Sequence, residues 1–432
     1  MIPDPWLLAF CVFALLVALG TTTGFVNERL WVSEPLACTL VGVALGPAAL
    51  GLLNLDPGAD AWHATVLREA ARVTLAIAVT GAAMRLPARW LRGNWKGLAV
   101  ALGPGMILMW AAGAAVAGAA LGLPLLACLL IGGAVAPTDP VLSAPILTGR
   151  LARAAVPDGL RHALTAESAI NDGLALPLVM LPVLLLQHPP VEAWTEWFVH
   201  VLLWEIGGAV LAGLAAGWVV GHGLRWARRR PEAEKASLLT VTLALAVASL
   251  AGVRVLGGDG ILAAFVAGAV LNNSHRADKV EEYHERFSEA LGRFFDLPVM
   301  ILFGAALPWA VWAGLGWRGV LFAAAVLLLR RPPAWLLLGR FMPWTRPTSA
   351  ALFAGWFGPV GAAAVFYALS IQQETGIAAV WPAVSLAVAA SVLAHGVSGT
   401  PLTYAFGRAV SPGFRKRYES GEDPADAAEE AG

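Results

Sequence analysis

Residues 136–140 read Ala136-Pro137-Thr138-Asp139-Pro140, and residues 167–173 read Glu167-Ser168-Ala169-Ile170-Asn171-Asp172-Gly173. Both stretches lie inside long apolar runs, so they put acids where hydrocarbon is expected. A charge there costs about 3 kcal/mol on insertion scales, which makes it a functional candidate by default. In the first stretch Pro140 removes a backbone donor, and each proline disfavours helix at the residue before it. The helix should break and leave carbonyls free, which a bilayer tolerates only where backbone lines a cavity. The plainer alternative is a proline kink with a capping Thr138 or Asp139. The second stretch keeps helical spacing. Ser168 and Asp172 share one face, and Glu167 and Asn171 share the adjoining one. Two carboxylates, a hydroxyl and an amide oxygen suit a hard monovalent cation. In low dielectric the charged form of a carboxyl is disfavoured, so such a group can hold either a proton or a cation. The plainer alternative here is a polar network that glues helices together.

Outward from these stretches, the 432-residue chain is 58% hydrophobic and only 13% charged. A soluble domain carries about 25% charged residues, so the apolar surplus marks a membrane protein. A spanning helix needs roughly 20 apolar residues. Thirteen runs approach that: Trp6–Phe25, Leu30–Leu53, Val66–Met84, Leu98–Leu121, Leu125–Leu147, Leu160–Leu186, Phe198–Val220, Leu238–Val255, Ile261–Leu271, Leu297–Ala313, Val320–Leu338, Ala350–Ile371 and Ile377–Phe406. With the N-terminus outside, the inner loops collect most of the arginines, from Arg85 and Arg89 through Arg225–Arg230 to Arg415 and Arg417. The opposite loops hold only Arg254 and Arg318. This asymmetry is what the positive-inside rule requires and puts the C-terminus in the cytoplasm. The N-terminus lacks the basic start of a signal peptide, so the first run reads as a retained helix. Residues 1–410 read as one transmembrane domain. The acidic, alanine-rich 411–432 reads as a disordered cytoplasmic tail, and Ser274–Arg293 as an amphipathic helix on the inner face. Abundant arginine, alanine and glycine suggest a GC-rich bacterium and its inner membrane. Zero net charge gives no hint of nucleic acid. Cys11, Cys38 and Cys128 lie in apolar runs without ligand spacing and read as buried small hydrophobes.

The twelfth run contains Trp356-Phe357-Gly358-Pro359-Val360-Gly361, a second helix breaker. Two broken spans suggest the crossed, discontinuous helices of transporters built from inverted repeats. Arg330 and Arg331, before Pro332 and Pro333, either snorkel to the inner surface or pair with a buried acid. Asp296, Glu205, Arg68 and Glu69 read as interfacial, and His395 as a helix-packing histidine.

Thr138-Asp139-Pro140 followed by Glu167-Ser168-x-x-Asn171-Asp172-Gly173 closely resembles the sodium/proton exchangers of the cation–proton antiporter superfamily. The likeness is to the NhaP-like, Asn-Asp branch, usually considered electroneutral. Gly42-Val43-Ala44-Leu45-Gly46-Pro47 and His395-Gly396 extend it over nearly the whole chain. The resemblance implies a thirteen-helix antiporter fold with a six-helix core, a dimerisation bundle and a homodimer. It also implies that Asp172 is the ion-binding and proton-carrying carboxylate. Ser168, Glu167 and Thr138 would help form the cation site, Thr138 through unwound backbone, while Asn171 and Asp139 would stabilise the crossed helices. Many members carry an arginine where this chain has Val360, pairing with the counterpart of Glu167. Without it, Glu167 is either protonated at rest or borrows Arg330 or Arg331. The first is preferred, because both arginines lie near the cytoplasmic end. On that reading Val360→Arg would create an ion pair and stabilise the protein.

The leading expectation is therefore Na+ (or Li+)/H+ antiport serving pH and salt homeostasis, with no enzyme activity and no cofactor. K+/H+ exchange is the runner-up. An organic-anion transporter fits poorly with buried acids, and a transport-inactive sensor would need neither the acids nor the breaks. An ATP-driven pump would need a P-loop and a large cytoplasmic domain, which the chain does not contain.

Overall fold

The computed structural model describes residues 32–228, 238–274 and 294–410, together with Ala14. The first expected span, the amphipathic segment after Ser274 and the acidic tail lie outside the described residues, as does Cys11. The described residues form helices and no strand. In chain order they are α1 (Glu34–Leu45), α2 (Ala61–Met84), α3 (Ala88–Leu121), α4 (Leu125–Val135), α5 (Ala144–Leu147), α6 (Gly149–Ala155), α7 (Asp158–Gln187), α8 (Pro190–Ala227) and α9 (Leu238–Val255). They continue with α10 (Gly260–Ser274), α11 (Phe294–Ala305), α12 (Trp309–Leu315), α13 (Trp317–Leu329), α14 (Pro332–Leu338), α15 (Thr348–Trp356), α16 (Ala362–Thr375) and α17 (Val380–Val410).

Boundaries follow local chemistry. Asp60 caps α2 by accepting from the Trp62 and His63 N–H groups, satisfying donors that have no partner within the helix. Ser33 does the same for α1, accepting from Leu36 N. Prolines 87, 124, 157 and 189 immediately precede α3, α4, α7 and α8, where a missing N–H does no harm. The second run is a shorter helix than its apolar length suggests, because the chain turns at Gly46-Pro47.

Among the described residues, α3, α7, α8, α17 and the stretch Trp317–Phe341 are each long and apolar enough to cross a membrane, while α1, α4, α9 and α10 are shorter apolar helices. Many of the shorter pieces result from breaks. The fifth run breaks between α4 and α5, and the twelfth between α15 and α16, as expected. The tenth also breaks, which was not expected: α11 and α12 meet at 64°. Pro308 precedes α12 and disfavours helix at Leu307, so a signal was present. The eleventh is interrupted at Arg330-Arg331, just before Pro332-Pro333.

Helices α7 and α17 are mostly buried and lie at the centre, with α4, α15 and α16 around them. Helix α8 is mostly exposed, displaying Trp194, Phe198, Leu203, Leu211 and Trp218. An apolar outer face suits lipid or another apolar surface rather than water. Helix α10 packs on α8, α9 and α2 as a second group beside the central one. Cys38 and Cys128 are buried free thiols.

Candidate ion-binding site at the crossing of two broken helices

The two breaks meet. The backbone N–H of Asp139 donates to Pro359 O at 2.9 Å, and Ala362 N donates to Asp139 Oδ2 at 2.8 Å. Asp139 Oδ1 also accepts from Val141 N and Leu142 N. One carboxylate thus satisfies the amino-terminal side of the second half of each broken helix, where negative charge is favourable. Glycine is required at 361, since a Cβ there would collide with the Asp139 carboxylate.

The carboxyl-terminal ends of the first halves are served by Arg330. Its Nη1 donates to Val135 O at 2.8 Å and Ala136 O at 2.9 Å, and its Nη2 donates to Gly358 O. A cation at helix carboxyl ends is the electrostatic complement of the aspartate. The expectation that Arg330 snorkels or pairs with an acid missed this role. It is buried at the crossing because the eleventh run breaks there.

The histidine was read correctly as a packing residue, and its hydrogen bonds are specific. Val360 N donates to Ser391 Oγ at 2.8 Å. Ser391 Oγ lies 3.1 Å from His395 Nδ1, and His395 Nε2 lies 2.8 Å from Trp356 O. His395 Nδ1 also lies 2.9 Å from Ser391 O, and these contacts tie unwound backbone to α17.

Thr138, Glu167, Ser168 and Asn171 come together as expected, and all are buried. Thr138 N donates to Asn171 Oδ1 at 3.1 Å. Asn171 Nδ2 donates to Thr138 Oγ1 at 2.9 Å and to Glu167 Oε1 at 3.0 Å. The Thr138 hydroxyl lies 3.2 Å from Ser168 Oγ and 3.4 Å from Glu167 Oε2. Asn171 therefore links the acidic helix to the broken one through both ends of its amide.

The preferred reading of Glu167 needs correction. Arg331 Nη1 donates to Glu167 Oε1 at 2.6 Å, with both side chains buried. Arg331 Nε also donates to Ala354 O at 3.1 Å, and the guanidinium lies over the Trp335 ring at 4.2 Å. Glu167 is paired, and Arg331 does not snorkel. The physical reason is again the break before Pro332, which turns the guanidinium inward. Gly358 makes the space, since a Cβ there would strike the Arg331 side chain. Val360 is fully buried and does not take part in this pair.

Asp172 differs from all of these. It is fully buried, yet neither carboxylate oxygen has a hydrogen-bond partner among the described residues. Only its carbonyl is engaged, accepting from the Tyr367 hydroxyl at 2.6 Å. The carboxyls of Asp139, Glu167, Asp259 and Asp296 all lie within electrostatic range of it. Asp296 was read as interfacial but is 1% exposed. Asp259, which the sequence does not single out, is buried against α7. Glu205, expected to be interfacial, lies within α8 with its carboxylate 3.3 Å from His200 Nε2.

A crossing of broken helices with an acid at the amino-terminal side, an arginine at the carboxyl ends and an unpartnered carboxylate alongside defines a polytopic membrane protein of the cation–proton antiporter superfamily. Within that class the chain belongs to the sodium/hydrogen exchanger family, whose transmembrane family model matches residues 12–405. A probable Na+/H+ antiporter of Schizosaccharomyces pombe is 30% identical over 406 residues, 86% of this chain and 53% of that protein. Na+/H+ antiporter 2 of Zygosaccharomyces rouxii is 30% identical over 409 residues, 87% of this chain and 50% of that protein. The chain therefore spans about half the length of these relatives. The Na+/H+ antiporter NhaP of Pseudomonas aeruginosa is 29% identical over 289 residues, 64% of this chain and 65% of that one. Among solved structures, the sodium proton antiporter MjNhaP1 from Methanocaldococcus jannaschii superposes with a TM-score of 0.72 at 17% identity. It covers 93% of this chain and 98% of that chain. The antiporter fold is thereby established.

Proposed function

We propose that this chain exchanges a monovalent cation, Na+ or Li+, for H+ by alternating access, with Asp172 binding either ion but not both. The observation that carries this reading is the pair of unpartnered oxygens on fully buried Asp172. A buried carboxylate is normally hydrogen-bonded or ion-paired, and the partner that these two oxygens lack is what a transported ion would supply. The Ser168 hydroxyl lies one turn before Asp172 on the same helix, and the unwound Thr138 supplies further oxygen. Such a donor set suits a hard monovalent substrate ion. Glu167, held by Arg331 and Asn171, supports the site rather than giving its charge to the cation. Asn171, Asp139, Gly358, Pro359 and Arg331 hold the crossing that frames it.

One titrating carboxylate gives one cation for one proton, hence electroneutral turnover. The same reading includes thirteen spans, a homodimer, a multi-pass location in the plasma membrane with the N-terminus outside, and a role in pH homeostasis. K+/H+ exchange is the alternative the donor set leaves closest. The test is proton flux in proteoliposomes challenged in turn with Na+, Li+, K+ and an organic anion. Na+ and Li+ should drive flux. A response to the organic anion alone would overturn the proposal.

A further inference from the structure

Asp259 caps α10, but capping uses only half of it. Its Oδ1 accepts from Ile261 N at 2.9 Å and Leu262 N at 3.2 Å. Its Oδ2 is buried and has no hydrogen-bond partner among the described residues. An asparagine or serine would cap as well without burying a charge. That oxygen faces the acidic helix: it lies 3.0 Å from where a Cβ on Gly173 would stand, beside the residue that follows Asp172. A second contact runs the other way. Asp259 N donates to Glu205 O at 3.3 Å, and the Glu205 carboxylate pairs with His200 Nε2 at 3.3 Å. Exposure rises along this series. Asp259 is 7% exposed, while the Glu205 and His200 side chains are 15% and 53% exposed.

Among the described residues, Asp172, Glu205 and Tyr367 are ionisable groups within electrostatic range of Asp259. The Tyr367 hydroxyl is committed to the Asp172 carbonyl. The nearby Arg254 is committed to Glu69 at 2.9 Å. Among the described residues no ion pair to Asp259 is formed, and its free oxygen adjoins the exchange site.

Resting on the function proposed above, we propose that Asp259 is a second proton-carrying carboxylate. It passes the proton between Asp172 and the protein surface through Glu205 and His200, while the cation takes another route. When a cation displaces the proton from Asp172, that proton moves to the free oxygen of Asp259. It continues to the Glu205 carboxylate, then to His200 Nε2, and leaves to water. In the state open to the opposite side the proton reaches Asp172 through the cation's own path, so each turnover carries one proton across, and no other reactant is needed.

The test separates two exchange modes of the full-length protein in proteoliposomes. Na+/H+ exchange needs proton transfer, whereas Na+/Na+ counterflow, followed with radioactive sodium, does not. Asp259→Asn keeps the cap and the shape. It should slow Na+/H+ exchange by about a hundredfold or more, the scale of a lost proton-transfer group, and leave counterflow within about twofold of wild type. Glu205→Gln, which leaves the cap untouched, should show the same split should Asp259→Asn fail to fold. His200→Ala should show a milder one that added imidazole rescues. Equal loss of both modes would make Asp259 a cation ligand or a structural residue. Loss of neither would make it a cap alone. Either result overturns the relay. Absence of both modes in the wild-type protein would instead overturn the function on which the relay rests.

Discussion

At the residue scale, the buried acids divide by what their oxygens do. Asp139 is fully occupied by backbone donors, Glu167 by Arg331 and Asn171, and Asp172 by none among the described residues. Substitutions should divide the same way. Asp172→Asn removes no hydrogen bond, so the variant should insert with an unchanged or higher thermal midpoint while Na+-driven proton flux falls to that of empty liposomes. Flux at the wild-type level would remove Asp172 from the mechanism. Glu167→Gln should instead destabilise by about 3–5 kcal/mol, because it leaves the Arg331 charge buried and uncompensated. Arg331→Gln should cost about as much, and the double variant much less than the sum of the two. Thermal unfolding of the purified variants checks this. Additive losses would mean that the two residues act separately. The outcome expected for Val360→Arg also reverses. With Glu167 already paired and Val360 fully buried, a new arginine adds a charge without a partner, and the thermal midpoint should fall.

At the element scale, the central device is a pair of interrupted helices with complementary end groups. Arg330 spans carbonyls from both breaks, and its planar fork makes that possible. Lysine offers a point charge on a flexible stem, so Arg330→Lys should lower stability and slow transport although the charge is kept. Retention of both would show that charge alone suffices. Gly361→Ala should behave like a cavity-free overpacking change, costing about 1–3 kcal/mol, because its Cβ meets the Asp139 carboxylate. Outside the membrane, the His63 and Trp62 N–H groups hold the Asp60 carboxyl below its usual value. Its folded value is lowered, so its support of α2 is present above the ordinary carboxylate range and lost as pH falls through the lowered value.

These elements were unequally legible. The breaks in the fifth and twelfth runs were readable because proline acts locally, on its own and the preceding residue. The same rule applied at Leu307-Pro308 and Arg331-Pro332 would have found the other two interruptions, and with them the inward turn of the arginines. Asp259 was not readable. Its sequence says only that it caps a helix. Its burial comes from the approach of α10 to Gly173 of α7, a contact between distant parts of the chain. Asp296, near the start of its helix, is buried for the same kind of reason.

At the scale of the whole molecule, the account is one of competition. A single carboxylate at the crossing takes Na+ or H+, beside Glu167 paired with Arg331 and Asp139 held by backbone donors of both broken helices. Turnover by one cation against one proton should build no membrane potential, and a voltage-sensitive dye in tight vesicles should stay silent during Na+-driven flux. The most direct measurement is the apparent Na+ affinity of transport across a range of pH. Competition predicts that affinity weakens as pH falls, approaching about tenfold per pH unit on the acid side, because proton and cation binding are linked reciprocally. An affinity that stays flat from acid to alkaline pH would mean that the two ions occupy separate sites, and would contradict the account.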